Sequence, residues 1–300
     1  MDILLTSNFQ WVLLSTLLLG TASGMVGSFA YWKRQSLMSD AISHAALPGV
    51  VIAFLIIEEK NLLFLLIGAT ISGLIGAFII QGIRSSTRIT EDTAMGMILA
   101  VFFGGGIMLL TIVNQSGGGN QAGLDQFIFG QAAAMVKSDV ITMSLLALFV
   151  ILVVVIGFKE WKLFLFDPNF AQGVGLSLKR MNALYLSVLV VTIVMGIQAV
   201  GVILMSALII IPPVSARYWT HNFRTMVWLS ALFGGCSGAI GTTVSAFGSG
   251  WPTGPFVVLA LATIFLFSLF FGIKKGLLIE YFTLKSEKKL ANENWSFVRR

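Results

Sequence analysis

Charged residues and cysteine are scarce in this chain. Only 11% of its 300 residues are Asp, Glu, Lys or Arg, against about 25% in soluble domains. This leaves too few polar side chains to cover a globule of this size, which excludes an ordinary cytosolic enzyme, a disordered chain and a nucleic-acid-binding protein. The single cysteine, Cys236, excludes a disulfide framework. The remaining class is a protein embedded in a membrane.

Sequence motifs that would give the chain chemistry of its own are also missing. There is no GxxxxGK[ST] loop for ATP and no HExxH zinc-protease motif. Two histidines cannot supply the several side chains that a membrane enzyme needs around one reacting group. The lack of clustered cysteines disfavours a Cu(I) site. We therefore expect no catalytic residue, no tightly bound cofactor and no enzymatic activity in this chain.

Long apolar runs dominate what is present. The chain is 57% hydrophobic, its mean hydropathy is +0.92, and its runs do not alternate as porin strands do. The runs occupy residues 9–31, 40–57, 61–82, 93–113, 139–158, 181–197, 201–219, 226–247 and 254–273. Each is near the ~20 residues that cross a bilayer as a helix. We predict an all-α, polytopic membrane protein with nine spans, or eight if the short connection at Gln198–Gly201 joins two of them.

Lys and Arg are distributed unevenly between these runs. If the N-terminus lies outside and the spans alternate, all but Lys60 and Lys137 of the 19 Lys and Arg residues fall on the cytoplasmic side, as the positive-inside rule requires. We therefore predict an external N-terminus and a cytoplasmic C-terminus. The net charge of +6 then reflects loops that face anionic lipid. Residues 1–283 form one predicted transmembrane domain, and 284–300 a polar cytoplasmic tail.

Asp40 and His44 are ionisable residues inside a predicted span, in the segment SLMSDAISHAALPG (36–49). Such groups are costly in a membrane and usually functional. Their i, i+4 spacing places them on one helical face. Pro48 follows one turn later and has no N–H for the His44 carbonyl. Carboxylate, imidazole and backbone oxygen could together bind a divalent ion weakly, as an ion pathway requires. A structural Asp–His hydrogen bond or an interfacial helix cap is the alternative.

Three further residues are candidates for a pathway or gate. Ser206 either lines a path or bonds to a neighbouring helix. Pro212 and Pro213 are expected to break or kink the run 201–219, either as a gate or as a simple bend.

Two GxxxG pairs fall within predicted spans, Gly20 with Gly24 and Gly234 with Gly238. Such pairs let helix backbones approach closely. They indicate tight packing inside one bundle or, alternatively, a face between two copies.

The longest predicted cytoplasmic loop covers residues 159–180. Asp167 and Pro168 can start a short helix there, and Gly173 or Gly175 can end it. An apolar face on this helix would dock into a groove on a partner or rest on the bilayer. The residues predicted to form or end this docking helix are Phe170, Ala171, Gly173, Val174 and Gly175.

The segment 36–49, the segment GVILMSALIIIPP (201–213) and the loop at 159–180 together resemble the permease subunits of the metal-ion ABC importers, the bacterial manganese, zinc and iron uptake systems. The similarity extends over nearly the whole chain up to the tail. It implies a permease fold in the bacterial plasma membrane. It also implies that Asp40 and His44 contact the metal, and that Phe170 to Gly175 form a coupling helix.

The resemblance further implies partners. These are a second copy or a related permease, cytoplasmic ATPase subunits that use ATP, and an extracellular metal-binding lipoprotein. The chain looks closest to the manganese-type members, with Zn²⁺ and Fe²⁺ as other possible cargoes. The alternative function is that of a self-contained secondary carrier, in which Asp40 and His44 relay protons.

Overall fold

The fold is that of a helical bundle, described by a computed structural model for residues 7–57, 61–115, 137–248, 251–274 and 276–278. No strand occurs among these residues, which confirms the predicted all-α class. The predicted tail at 284–300 and Lys60 lie outside them. The helices are α1 (Ser7–Trp32), α2 (Met38–Ala45), α3 (Leu47–Ile57), α4 (Leu62–Ser86), α5 (Glu91–Gln115), α6 (Lys137–Ile156), α7 (Phe158–Phe166), α8 (Pro168–Gly173), α9 (Leu178–Val200), α10 (Val202–Arg217), α11 (Phe223–Ala246) and α12 (Thr253–Phe271).

Among the described residues, eight helical segments are long and apolar enough to cross a membrane, with α2 and α3 together forming one of them. They correspond to eight of the nine predicted runs. The remaining run, 201–219, forms α10, whose apolar part is the shorter Leu204–Arg217. The 16 residues of α10 give it a length of about 24 Å, less than the ~30 Å hydrocarbon core of a bilayer.

Helices α9 and α10 are joined by one residue, Gly201. Its φ of +89° lies in the left-handed region, which glycine adopts without the steric cost that a side chain would bring. The Gly201 N–H donates to the Ile197 carbonyl at 2.7 Å, and its own carbonyl accepts from the Met205 N–H at 3.1 Å. The short connection predicted at this point is therefore a single-residue turn between two helices.

Helix α10 contains both Pro212 and Pro213 and runs through them without interruption. The predicted break in this run is therefore not present. Because Pro213 has no N–H for the Ile209 carbonyl, that carbonyl lacks its usual partner in the helix. Gly27 of α1 packs directly against the same carbonyl, in the space that a side chain would otherwise fill.

Helices α1 and α11 pack through their glycines. A Cβ atom on Gly20 would overlap the Gly234 carbonyl, and one on Gly238 would overlap the Thr16 carbonyl. The hydroxyls of Thr16 and Thr242 are hydrogen-bonded at 2.8 Å across the same contact. Both GxxxG pairs therefore pack within one bundle, the first of the two interpretations given above. We call this contact the α1–α11 seam.

A polar cluster gathers the ends of several helices at one end of the bundle. Arg84 of α4 forms an ion pair with Glu91 of α5, with Nη1 and Oε2 at 2.9 Å, and Gln35 donates to the same carboxylate. Lys33 donates to Asn182 of α9. Burial lowers the pKa of Lys33 to about 8, with Glu91 opposing the shift and Arg84 adding to it. Lys33 and Arg84, at the ends of α1 and α4, therefore lie at one end of the bundle together with Asn182 of α9, consistent with a single membrane face.

Candidate functional site

Asp40 and His44 lie on the open face of α2. Their side chains are 40% and 18% exposed, whereas the residues around them on α2 are buried: Met38, Ser39, Ala41, Ile42, Ser43 and Ala45. Asp40 Oδ1 and His44 Nε2 are 3.8 Å apart, beyond the reach of a hydrogen bond. The pair is thus adjacent and accessible from one side, without a direct hydrogen bond between its members.

This spacing suits two ligands of one metal ion. Ligand atoms about 2.0–2.2 Å from a common ion can lie up to roughly 4 Å apart. An oxygen and an imidazole nitrogen make a mixed donor set that Mn²⁺, Fe²⁺ and Zn²⁺ all accept. Within the described part of the chain, no group of three or more His, Cys, Asp or Glu residues comes together. The pair therefore offers two ligands, and water or a second chain must supply the others.

Asp40 also lies in the first turn of α2. A carboxylate there interacts favourably with the positive end of the helix dipole. The residue before the helix, Leu37, provides no side-chain cap. The dipole contribution accounts for a carboxylate at this end of the helix, but it gives no reason for an imidazole one turn later on the same open face.

The inner side of α2 and α3 is fixed by small residues of α4. The Ser72 hydroxyl donates to the Ala45 carbonyl at 2.6 Å, and a Cβ on Gly76 would press on the Ala45 side chain. Gly49 and Gly68 pack backbone to backbone, with no room for a Cβ on either. These contacts hold α2 and α3 against α4, while Asp40 and His44 on α2 remain partly exposed.

A short interruption of the helix lies next to Pro48. Helix α2 ends at Ala45 and α3 begins at Leu47, so the break falls just before the proline. The Ala46 N–H points to the carbonyls of Ile42 and His44. The Ser72 hydroxyl donates a hydrogen bond to the neighbouring Ala45 carbonyl. Pro48 itself is half-buried. The helix is thus interrupted next to the candidate ligands, and a free His44 carbonyl, which the missing N–H of Pro48 predicts, stays a prediction.

The other predicted pathway residues lie on α10, which packs against α2. Ser206 is half-buried there, and Pro212 and Pro213 are buried. Neither Pro212 nor Pro213 has a described contact with Asp40 or His44. The role of all three as pathway or gate residues stays a prediction.

The loop at 159–180 contains the predicted short helix, α8. Asp167 caps it by accepting from the Phe170 N–H at 3.0 Å, Pro168 occupies its first turn, and Gly175 follows it with a φ of +91°. Phe170 and Val174 are 57% and 61% exposed. Ala171 is buried instead, so it supports the helix from beneath and does not belong to the apolar face predicted for it.

A second helix in this loop, α7, was not predicted. Its Phe158, Trp161 and Leu165 are spaced three and four residues apart and pack inward, a helical pattern that the sequence does contain. Trp161 and Phe158 stack edge-on against Phe29 of α1, with ring centroids 5.2 and 6.3 Å away. The ring of Phe223, at the start of α11, lies 5.1 Å from the same Phe29 ring. This aromatic cluster attaches α7, and with it α8, to the end of the α1–α11 seam.

Comparison with known proteins gives one family and several relatives. Residues 6–272 match the family described as "ABC 3 transport family". The chain is 46% identical over 270 residues to "Manganese transport system membrane protein MntC" of Bacillus subtilis (strain 168), covering 90% of this chain and 62% of that protein. It is 44% identical over 284 residues to "Zinc transport system membrane protein TroC" of Treponema pallidum (strain Nichols), covering 95% of each.

The fold is also found in a solved structure, "PsaBC from Streptococcus pneumoniae in complex with Fab". The TM-score is 0.81 at 30% sequence identity, and the match covers 95% of this chain and 98% of that one. The helical arrangement described above is therefore shared with this solved structure over almost its full length.

Proposed function

The chain belongs to the ABC 3 transport family, and from that membership we propose that it is the membrane-spanning permease subunit of an ATP-driven importer for divalent metal ions, with Mn²⁺ as its principal cargo. The observation that carries the proposal is the Asp40–His44 pair on the open face of α2. A carboxylate and an imidazole facing lipid would be costly. In a permease pair, a second copy or a related permease covers that face and adds ligands to the ion.

Two relatives support a divalent metal as cargo, and they differ in which one. One is named for manganese and the other for zinc. We favour Mn²⁺ because Asp40 provides a hard oxygen ligand and only one nitrogen accompanies it in each chain. Zn²⁺ and Fe²⁺ are the competing cargoes, and they bind the same two side chains.

The exposed pair Phe170 and Val174 on α8 is the proposed contact with a cytoplasmic ATPase. A short capped helix with two adjacent apolar side chains fits a groove on a protein partner. The aromatic cluster transmits movement of α8 to α1 and α11. A metal-binding lipoprotein delivers the ion at the opposite end of the bundle. The polar cluster end, with Lys33 and Arg84, faces the cytoplasm of a bacterium, and the N-terminus lies outside.

Metal uptake by the assembled importer tests the proposal. Asp40→Ala and His44→Ala are expected to reduce Mn²⁺ uptake at least tenfold, because each removes half of the chain's ligand set. The matched controls are His221→Ala, at an exposed position between α10 and α11, and Asp92→Ala, at an exposed position in α5. Both are expected to transport normally. Normal uptake by both Asp40→Ala and His44→Ala, with the complex still assembled, would refute the site.

A secondary carrier with Asp40 and His44 as a proton relay is the alternative function. It would transport without any ATPase and would respond to the pH gradient. Uptake in proteoliposomes that contain the permease alone separates the two functions. We expect no uptake until the ATPase and ATP are added.

A further inference from the structure

The His44 ring packs against an aromatic ring from another helix. Phe103 of α5 lies with its ring centroid 4.7 Å from the imidazole centroid, at an interplanar angle of 77°. This edge-to-face arrangement is favourable for two aromatic rings. Phe103 is itself 37% exposed, so its ring lies at the rim of the open face that holds Asp40 and His44.

The close approach of α5 to α3 sets this contact. Gly106 lies against the Leu47 side chain, where a Cβ would come within 2.8 Å of Leu47 Cδ2. Leu47 is three residues after His44, and Gly106 is three residues after Phe103. The two contacts are therefore in register along the helices. Gly104 and Gly105, which follow Phe103, have nothing within 4 Å of an added Cβ, so they crowd neither ring.

A metal-binding histidine needs something to orient its ring. The terminal torsion of histidine has broad minima, and a hydrogen bond from the second ring nitrogen usually fixes it. Among the described residues, no hydrogen bond to the His44 imidazole is found; its contacts are the Phe103 ring and the Asp40 carboxylate 3.8 Å away. The packing of Phe103 is thus the contact that limits rotation of the ring.

We propose that Phe103 is a positioning residue for the metal site, holding the His44 ring so that Nε2 faces Asp40 and the two bind one ion together. The inference rests on the proposed function of the pair. Phe103 touches the ligand and not the metal. It keeps the nitrogen in place as an ion arrives, which matters most for ions that prefer nitrogen. Phe103 therefore sets how well Zn²⁺ competes with Mn²⁺.

The test compares substitutions at two phenylalanines in the complete importer. Phe103→Leu keeps an apolar side chain but removes the flat ring. Phe103→Tyr keeps the ring and is the rescue variant. Phe149→Leu, at an exposed ring on α6, is the matched control. We measure the Mn²⁺ concentration for half-maximal uptake, the maximal rate, and the Zn²⁺ concentration that halves Mn²⁺ uptake.

We expect Phe103→Leu to raise the half-maximal Mn²⁺ concentration about threefold to tenfold, the effect of losing one edge-to-face contact. The inhibitory Zn²⁺ concentration is expected to rise by a larger factor, while Phe103→Tyr and Phe149→Leu stay near the unmodified protein. A general packing defect would change the maximal rate or the amount of complex. It would leave unchanged the ratio of the inhibitory Zn²⁺ concentration to the half-maximal Mn²⁺ concentration. If Phe103→Leu does not assemble, Phe103→Met takes its place with the same expected metal ratios.

Two results would overturn the inference. One is a Phe103→Leu importer that matches Phe149→Leu in both metal concentrations. The other is an equal shift for Mn²⁺ and Zn²⁺ that Phe103→Tyr does not restore. Either result leaves the proposed function intact if Asp40→Ala and His44→Ala still abolish uptake. If those two variants transport normally, the proposed function fails first.

Discussion

Small and polar residues have different roles in the α1–α11 seam and on the α2 face. At the seam, glycines on both helices bring two backbones together, and the threonine hydroxyls satisfy each other. At α2, the small residue Ala45 meets α4, while Asp40 and His44 keep part of their side chains exposed. The seam completes its interactions within one chain, whereas the α2 face leaves an ionisable pair partly exposed. The bundle thus contains one closed helix–helix contact and one face on which charged or polar side chains remain accessible.

The largest expected effect comes from breaking the seam. Gly234→Leu would drive a bulky side chain into the Gly20 backbone, and overpacking of this severity at a backbone contact exceeds the roughly 1–3 kcal/mol cost of an extra methylene in a core. We expect little or no folded protein in the membrane. The same substitution at Gly82 of α4, where an added Cβ meets nothing within 4 Å, serves as the control and should accumulate normally.

Equal amounts of the Gly234→Leu and Gly82→Leu proteins, measured by fluorescence-detected gel filtration, would contradict the structural role of the seam.

The second prediction concerns the elbow, by which we mean the loop at 159–180 with α7 and α8. Phe170→Asp replaces an exposed apolar side chain with a charge that disfavours an apolar groove. We expect the permease to fold but to lose most ATPase binding, and with it ATP-driven uptake. Glu160→Lys, also exposed and in the same elbow, changes charge without touching the apolar pair and should retain the ATPase. Co-purification of the ATPase with each variant provides the measurement.

A smaller effect is expected on the inner side of α2. Ser72→Ala removes the hydroxyl that donates to the Ala45 carbonyl and leaves a buried acceptor unpaired, at a cost of about 1–3 kcal/mol. Because Ala45 adjoins His44, the Mn²⁺ concentration for half-maximal uptake should rise modestly. Thr70→Ala, whose hydroxyl bonds only within α4, is the control. Identical uptake curves for Ser72→Ala and Thr70→Ala would show that the contact between Ser72 and Ala45 does not affect metal uptake.

The smallest effect concerns Lys33, which links the end of α1 to α9. Burial lowers its pKa from 10.5 to about 8, so between these pH values the unfolded chain binds more protons at this group than the folded chain does. This group's contribution to the free energy of unfolding therefore rises from about pH 8 to 10.5. Lys33→Met should flatten that rise, seen as a difference of about 2–4 °C in how the thermal midpoint changes between pH 8 and 10.

Lys179→Met is the comparison for Lys33, because Lys179 at the start of α9 has an exposed side chain. The same pH response in both variants would assign the rise to a group other than Lys33.

The sequence predicts the spans and the proximity of Asp40 to His44 well because both depend on local patterns. Apolar runs identify the long helices, and i, i+4 spacing alone places Asp40 beside His44. What it misses depends on contacts between distant segments. Nothing in the run around Phe103 distinguishes it from its apolar neighbours, and the partner of Gly20 can be known only once α11 is in place. The sequence does not predict α7, because its nine residues directly follow an apolar span. A segment of this length is too short for its helical period to be distinguished from the span before it.

The pairing of the first long helix with one near the end of the described chain has a consequence for biosynthesis. As the ribosome releases the chain, α1 enters the bilayer with its glycine groove empty, and α11 emerges only after most of the chain has been made. During that interval the groove is available to other helices in the membrane. A chain cut short before α11 would keep this groove open, so we expect it to be degraded and not merely inactive.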